Sequence, residues 1–219
     1  MQLGAAILAG GRNARMGGRN KAFLRVDDRP LLHITLETLW ELFDDIILVT
    51  NNPDDFRPYR NDCRIVTDRI APIGPLGGIL TALTETSADG VFIVACDMPF
   101  IDADLIKILL EHFQRQDCDV ILPRVGSVIQ PLHAVYARSL EQPLDRYLHS
   151  CTNHAIRNFL NEVNARYLDL EDSRYTRHIF HNVNTPEDLR QILALHTIAR
   201  AWPEPRFGVF DINKVNRRR

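Results

Sequence analysis

An apolar run from Ala5 to Leu8 opens directly into a stretch, Leu8 to Lys21, that holds four glycines, three arginines and a lysine. Glycine can turn through positive φ and lets backbone amides approach a ligand closely. Consecutive amides of such a loop form an anion-binding concavity, and neighbouring cations add charge to it. A short buried strand feeding a basic glycine loop belongs at the carboxyl edge of an α/β sheet. It reads as a cradle for a polyphosphate.

Two familiar phosphate loops are excluded by spacing. The Walker form needs Gly-Lys followed at once by Ser or Thr, whereas Lys21 follows Asn20 and precedes Ala22. The dinucleotide fingerprint needs Gly-x-Gly-x-x-Gly, which the pairs Gly10–Gly11 and Gly17–Gly18 do not supply. A plain glycine-rich turn with solvated basic residues is the simpler alternative. The coincidence of strand, two glycine pairs, Arg15 and Lys21 weighs against it.

Composition narrows the class. A chain of 219 residues, 45% hydrophobic, can bury one good-sized core. Residues 1–200 read as that domain. Residues 201–219 read as a basic tail, with Pro203, Pro205 and Arg217 to Arg219. Such a tail is either solvated or a docking segment for an acidic partner. Twenty-six basic against 28 acidic residues leave a net charge of −2. That balance provides no bulk basic field for nucleic acid, so any anion site must be local. Cys63, Cys96, Cys118 and Cys151 lack C-x-x-C spacing and read as reduced thiols, most of them in buried strands. The histidines are scattered without metal-ligand spacing. The first apolar stretch fits neither a signal peptide nor a membrane span, which points to the cytoplasm.

Strands and helices alternate along the chain. Buried strands are expected at Leu3–Leu8, Ile46–Val49, Arg64–Val66, Val91–Ala95, Val120–Leu122 and Leu132–Tyr136. Helices are expected at His33–Phe43, Ile79–Glu85, Ile101–Gln114, Leu140–His149, Ala155–Val163 and Leu189–Ala199. Residues 72–78 read as a second glycine loop. Thr185, Pro186 and Asp188 form a capping-box start for the last helix. This rhythm predicts a three-layer α/β fold around a mainly parallel sheet, Rossmann-like in plan.

Ligands gather at the carboxyl ends of strands in such sheets. Those ends carry the Leu8–Lys21 loop, then Asn51 and Asn52, then Asp68, then Asp97. Asp97 follows a buried strand and precedes Met98 and Pro99, a suitable position for a magnesium ligand on nucleotide phosphates. Its alternative use, capping the next helix, falls better to Asp102. Asp68 is as well suited to stabilising a turn as to a site. Asn51 and Asn52 fit a base contact or a turn equally.

These residues resemble the molybdenum cofactor guanylyltransferases, within the wider nucleotidyltransferase family. The resemblance rests on Leu8 to Gly11 with Arg15 and Lys21, Gly74 to Gly78, Cys96 to Phe100, Gln130 to Tyr136 and Asn182 to Leu189. It spans about residues 3–199 and implies GMP transfer from GTP to the terminal phosphate of molybdopterin, with pyrophosphate released. It further implies that Leu8, Ala9, Gly10 and Lys21 contact GTP and that Asp68 lies in the nucleotide site. Asp97 would bind Mg2+ and the GTP phosphates. An asparagine ending the second long strand belongs to the site; the register between Asn51 and Asn52 is open, with Asn51 preferred. Asn182 and Asn184 would line the pterin side. Arg15, Lys21 and Asp97 would carry the chemistry by offsetting repulsion between two anions. Molybdoenzymes or their chaperones are the protein partners the resemblance implies.

The pattern departs from the family in two places. The resemblance implies more than one basic residue in the helix after the Gln-Pro strand, whereas Arg157 has only His154 as a companion, and the tail from Trp202 has no counterpart. Two rival readings fit the same residues. One is a cytidylyltransferase or sugar-phosphate nucleotidyltransferase, against which Gly74 to Gly78 argues. The other is a GTP-binding delivery module without chemistry, against which the pairing of Lys21 with Asp97 argues.

Overall fold

The computed structural model describes residues 1–10, 20–26, 28–68 and 73–199. In chain order the strands and helices begin with β1 (Leu3–Leu8), the hairpin β2 (Arg25–Val26) and β3 (Arg29–Pro30), α1 (Leu31–Trp40), β4 (Ile46–Thr50) and β5 (Arg64–Thr67). There follow α2 (Pro75–Glu85), β6 (Gly90–Ala95), α3 (Ala103–Arg115), β7 (Val120–Val125), β8 (Val128–Ile129) and β9 (His133–Ala137). The chain continues through α4 (Glu141–Ser150), α5 (Ile156–Leu160), β10 (Ala165–Leu170), α6 (Arg174–Ile179) and α7 (Pro186–Ala199).

The main sheet runs β10-β7-β9-β6-β1-β4-β5, with β8 paired to β7. β1 is parallel to β4 and β6, β4 to β5, and β7 to β10. β9 alone reverses the long path, lying antiparallel to both β6 and β7. The expected mainly parallel, three-layer α/β architecture is therefore present, divided by one reversed strand.

The continuous apolar strands follow from burial on both faces. Along β1, Ala5 and Ile7 enter one core with Leu36, Leu39 and Phe92. Ala6 and Leu8 enter the other, with Ile79, Leu83 and Ile93. Successive side chains point to opposite faces, so a strand covered twice needs apolar residues at every position. A third, smaller cluster of Val26, Leu31, Ile34, Phe100, Val183 and Ile192 ties the hairpin and α1 to the C-terminal segment.

Several boundaries differ from expectation for identifiable reasons. α1 begins at Leu31, directly after Pro30, and ends at Trp40. The amides of Leu42 and Phe43 both turn back to the Leu39 carbonyl, so Phe43 is buried from a turn. α2 begins at Pro75, and Gly77 and Gly78 are helical instead of loop. Proline is tolerated in a first turn because its missing N–H would be unpaired there. A Cβ at Gly78 would stand 3.2 Å from Leu8 Cδ2, so the glycine lets α2 lie close against β1. α5 stops at Leu160, short of Val163. β10 and α6, unassigned in the sequence, complete the far edge and its cover. The four cysteines are free, yet none lies in a strand: Cys63 is buried just before β5, Cys96 follows β6, and Cys118 and Cys151 are half-buried in connections. Trp202 to Arg219, the tail singled out above, lies outside the described residues.

Candidate active site

A cavity of about 880 Å3 opens where β1, β4, β5 and β6 end. Leu8, Ala9 and Gly10 enter it from β1, Asn51 and Asn52 from β4, and Asp68 from β5. Cys96, Asp97 and Met98 enter from β6. The ladder explains why these segments emerge together. Ala9 N–H donates to the Val49 carbonyl at 2.8 Å, and Cys96 N–H to the Leu8 carbonyl at 3.1 Å. The pairing thus runs one residue beyond β1 on the β4 side and one residue beyond β6 on the β1 side before the chains diverge.

The start of α2 forms another wall through Gly74, Pro75 and Gly78. Gly74 sits at φ 84°, a left-handed conformation that glycine adopts without steric cost. The turn into α2 therefore brings a helix N-terminus, with its partial positive charge, to the cavity. Asp68 is steadied from this side: its Oδ1 accepts from the Thr81 hydroxyl at 3.3 Å, and Thr81 is buried on α2.

Lys21 arrives from a single 3-10 turn, Lys21–Phe23, whose cap is Asn20. Asn20 Oδ1 accepts from Ala22 N–H at 3.1 Å, while the fully buried Ala22 anchors the turn. Lys21 Nζ donates to Asn184 Oδ1 at 2.6 Å and stands 3.8 Å from Asp97 Oδ2. Both charged side chains are largely shielded, at 18% and 23% exposure. Asp97 is also held through its main chain, where its carbonyl accepts from Val183 N–H at 2.8 Å.

Burial raises the pKa of Asp97 above the ordinary carboxylate range, and the nearby Lys21 ammonium offsets only part of that. A carboxylate held at such a cost gains from a cation brought by a ligand. Burial likewise pushes the Cys96 thiol up to about 12, so at neutral pH it is protonated and a poor nucleophile. Among the described residues no group of three His, Cys, Asp or Glu side chains is arranged to hold a metal ion. Asp97 lines the cavity beside Lys21. This donor set suits a magnesium ion, which is commonly held by one or two carboxylates together with substrate phosphates.

The structure thus gathers Leu8, Ala9, Gly10, Lys21, Asn51, Asp68, Asp97 and Asn182 around one cavity. Both Asn51 and Asn52 border it, with Asn51 Nδ2 3.6 Å from the Cβ position of Gly10. Asn184 is engaged by Lys21. Arg15, with Gly11, Gly17 and Gly18, lies outside the described residues. Asn20 and Met98 were not singled out in the sequence. An Asx residue directly before the site lysine was the available signal for Asn20.

Known proteins resemble this chain in sequence and in fold. A family model described as the MobA-like NTP transferase domain matches residues 5–167. A probable molybdenum cofactor guanylyltransferase of Thermococcus kodakarensis is 38% identical over 198 residues, covering 88% of this chain and 94% of its own length. A molybdenum cofactor guanylyltransferase of Syntrophotalea carbinolica is 35% identical over 195 residues, 87% of this chain and 91% of its own. The crystal structure of molybdopterin-guanine dinucleotide biosynthesis protein A from Archaeoglobus fulgidus has the same fold, with a TM-score of 0.73. It is 23% identical and covers 89% of this chain and 98% of that one.

Proposed function

The chain belongs to the MobA-like NTP transferase family, and from that premise we propose that it transfers GMP from GTP to molybdopterin, releasing pyrophosphate. The observation that carries this reading is the meeting of Lys21 and Asp97, 3.8 Å apart, on the rim where the Ala9 and Gly10 backbone emerges. Guanylyltransferase relatives that align over most of the chain support guanine as the base, over the cytidine and sugar-phosphate alternatives.

The reaction joins two anions. A terminal phosphate oxygen of molybdopterin attacks the α-phosphorus of GTP. The bond from that phosphorus to the bridging oxygen breaks, and pyrophosphate leaves with the electron pair. The nucleophile is already ionised, so no strong side-chain base is needed. The protein's task is alignment and charge compensation. The Gly10 end of β1 and the start of α2 would border the triphosphate, and Lys21 would donate to its oxygens. Leu8, Asn51 and Asp68 border the nucleoside side, and Asn182 the acceptor side. Mg2+ held by Asp97 would neutralise charge on the α-phosphate and the leaving group. Arg15 is proposed as a further cation on the phosphates, by family resemblance.

No helix among the described residues is long and apolar enough to cross a membrane. The free cysteines fit a reducing compartment and support a cytoplasmic enzyme. Thermal shift with GTP, CTP, ATP and UTP, each with magnesium, tests the nucleotide. Stabilisation by GTP above the others is expected; stabilisation by CTP alone would overturn guanine.

A further inference from the structure

We propose that Asp188, on the first turn of α7, is a positioning residue for the lysine of the active site, acting through Asn184. This inference rests on the guanylyltransferase reading of the cavity. An ordinary capping box links only the cap residue and the residue three further on. Here Thr185 N–H donates to Asp188 Oδ2 at 2.8 Å, and Asp188 N–H donates to Thr185 Oγ1 at 3.1 Å. The same Oδ2 takes one more bond, from Asn184 N–H at 2.9 Å. That extra bond is outside the needs of the helix. It fixes the backbone of the residue whose side chain receives Lys21 Nζ at 2.6 Å.

The segment on the other side is fixed independently. Val183 is fully buried with Val26, Leu31, Ile34, Phe100 and Ile192, and its N–H holds the Asp97 carbonyl at 2.8 Å. Asn184 therefore lies between two anchors, one apolar and one ionic. A carboxamide also suits this place chemically. A carboxylate there would cancel the ammonium charge that phosphates need. The neutral oxygen orients the ammonium through one of its three donors without adding a second negative charge beside Asp97. Asp188 does not line the cavity, so its influence passes through Asn184.

The test is a double-mutant cycle joined to a direct view of the lysine. Asp188→Ala should lower GMP transfer about tenfold in the parent, within the range of coupling inside one hydrogen-bonded network, and cost nothing further in the Lys21→Ala background. A purely structural cap would cost the same factor in both backgrounds, which would overturn the proposal. Asp188→Asn, which keeps the shape and one acceptor oxygen, serves if the alanine variant does not fold. Nitrogen-15 spectra of the ligand-free protein should display the Lys21 ammonium in the parent and lose it in Asp188→Ala and Asn184→Ala. An unchanged ammonium signal in Asp188→Ala would also overturn the proposal. A parent protein that holds its ammonium through Asp188 yet transfers no GMP would overturn the guanylyltransferase reading and leave the positioning role standing.

Discussion

The two walls of the cavity are held by different means. The sheet wall, which carries Asp97, is fixed by parallel ladders and by strands buried on both faces. The opposing wall, Asn182 to Thr185, has no ladder. One buried valine, one main-chain bond and a capping box keep it in register. The anionic partner of the Lys21–Asp97 pair thus sits on the rigid wall. The cationic partner is oriented by a residue 163 positions away. Damage to the sheet should therefore change stability first, and damage to the opposing wall should change chemistry first.

The largest expected effect comes from the charge on the rigid wall. Asp97→Asn should lower turnover on the order of 10²–10³-fold, the cost of losing one preorganised electrostatic group. The fold should survive with equal or higher Tm. The sign follows from burial: the folded pKa lies above the unfolded one. The native state therefore binds the proton more tightly, and stability falls as pH rises from the unfolded value through the folded one. Removing the charge recovers that loss at neutral pH. A clear drop in Tm would mark Asp97 as a structural residue.

Lys21→Ala comes next, with a loss of about 2–4 kcal/mol of transition-state stabilisation. On the proposed mechanism activity needs ionised Asp97, so it should fail as pH drops through the raised Asp97 pKa. The ammonium lowers that pKa, so the acid limb should move to higher pH in the variant. A limb that stays in place would separate the two residues.

Gly90→Ala sharpens the contrast from the sheet side. A Cβ there would stand 2.8 Å from Phe113 Cε1 and 3.1 Å from Leu3 Cδ2, at the end of β6 away from the cavity. Overpacking of this kind costs about 1–3 kcal/mol. Denaturant unfolding should register that loss while KM for GTP stays unchanged. Thr185→Ala should have the smallest effect on stability, about 1 kcal/mol for a lost cap. Asp188 keeps both of its backbone donors in that variant, so turnover should fall only slightly. A larger catalytic loss than that of Asp188→Ala would assign the wall to the hydroxyl instead.

The two walls also differ in how readily the sequence discloses them. Strands β1, β4 and β6 are continuous apolar runs, and double burial leaves few other readings. The carboxyl ends of these strands, with that of the more polar β5, bring Leu8, Asn51 or Asn52, Asp68 and Asp97 to one rim as candidates without a fold in hand. Asp102 reads correctly as the cap of α3, where its Oδ1 accepts from the amides of Asp104 and Leu105 at 2.9 Å. Gly77 and Gly78 mislead, because low helix propensity is outweighed by close packing on β1. The reversal at β9 is likewise hidden: an apolar strand has no mark of direction. His133 in β9 lies fully buried between Phe92 and Phe180, and burial pushes its pKa down to about 3. It therefore packs as a neutral ring. β10 escapes notice because Arg166 and Asp169 interrupt its apolar residues at a sheet edge. The pairing of Asn184 with Lys21 depends on tertiary distance alone, and no local pattern encodes it.

The most direct measurement is product formation by the purified protein given GTP, magnesium and molybdopterin, with pyrophosphate and the guanylylated pterin quantified together. Equal amounts of both, abolished in Asp97→Ala and far lower with CTP in place of GTP, are expected. Pyrophosphate release that is absent with GTP, or undiminished in Asp97→Ala, would contradict the account.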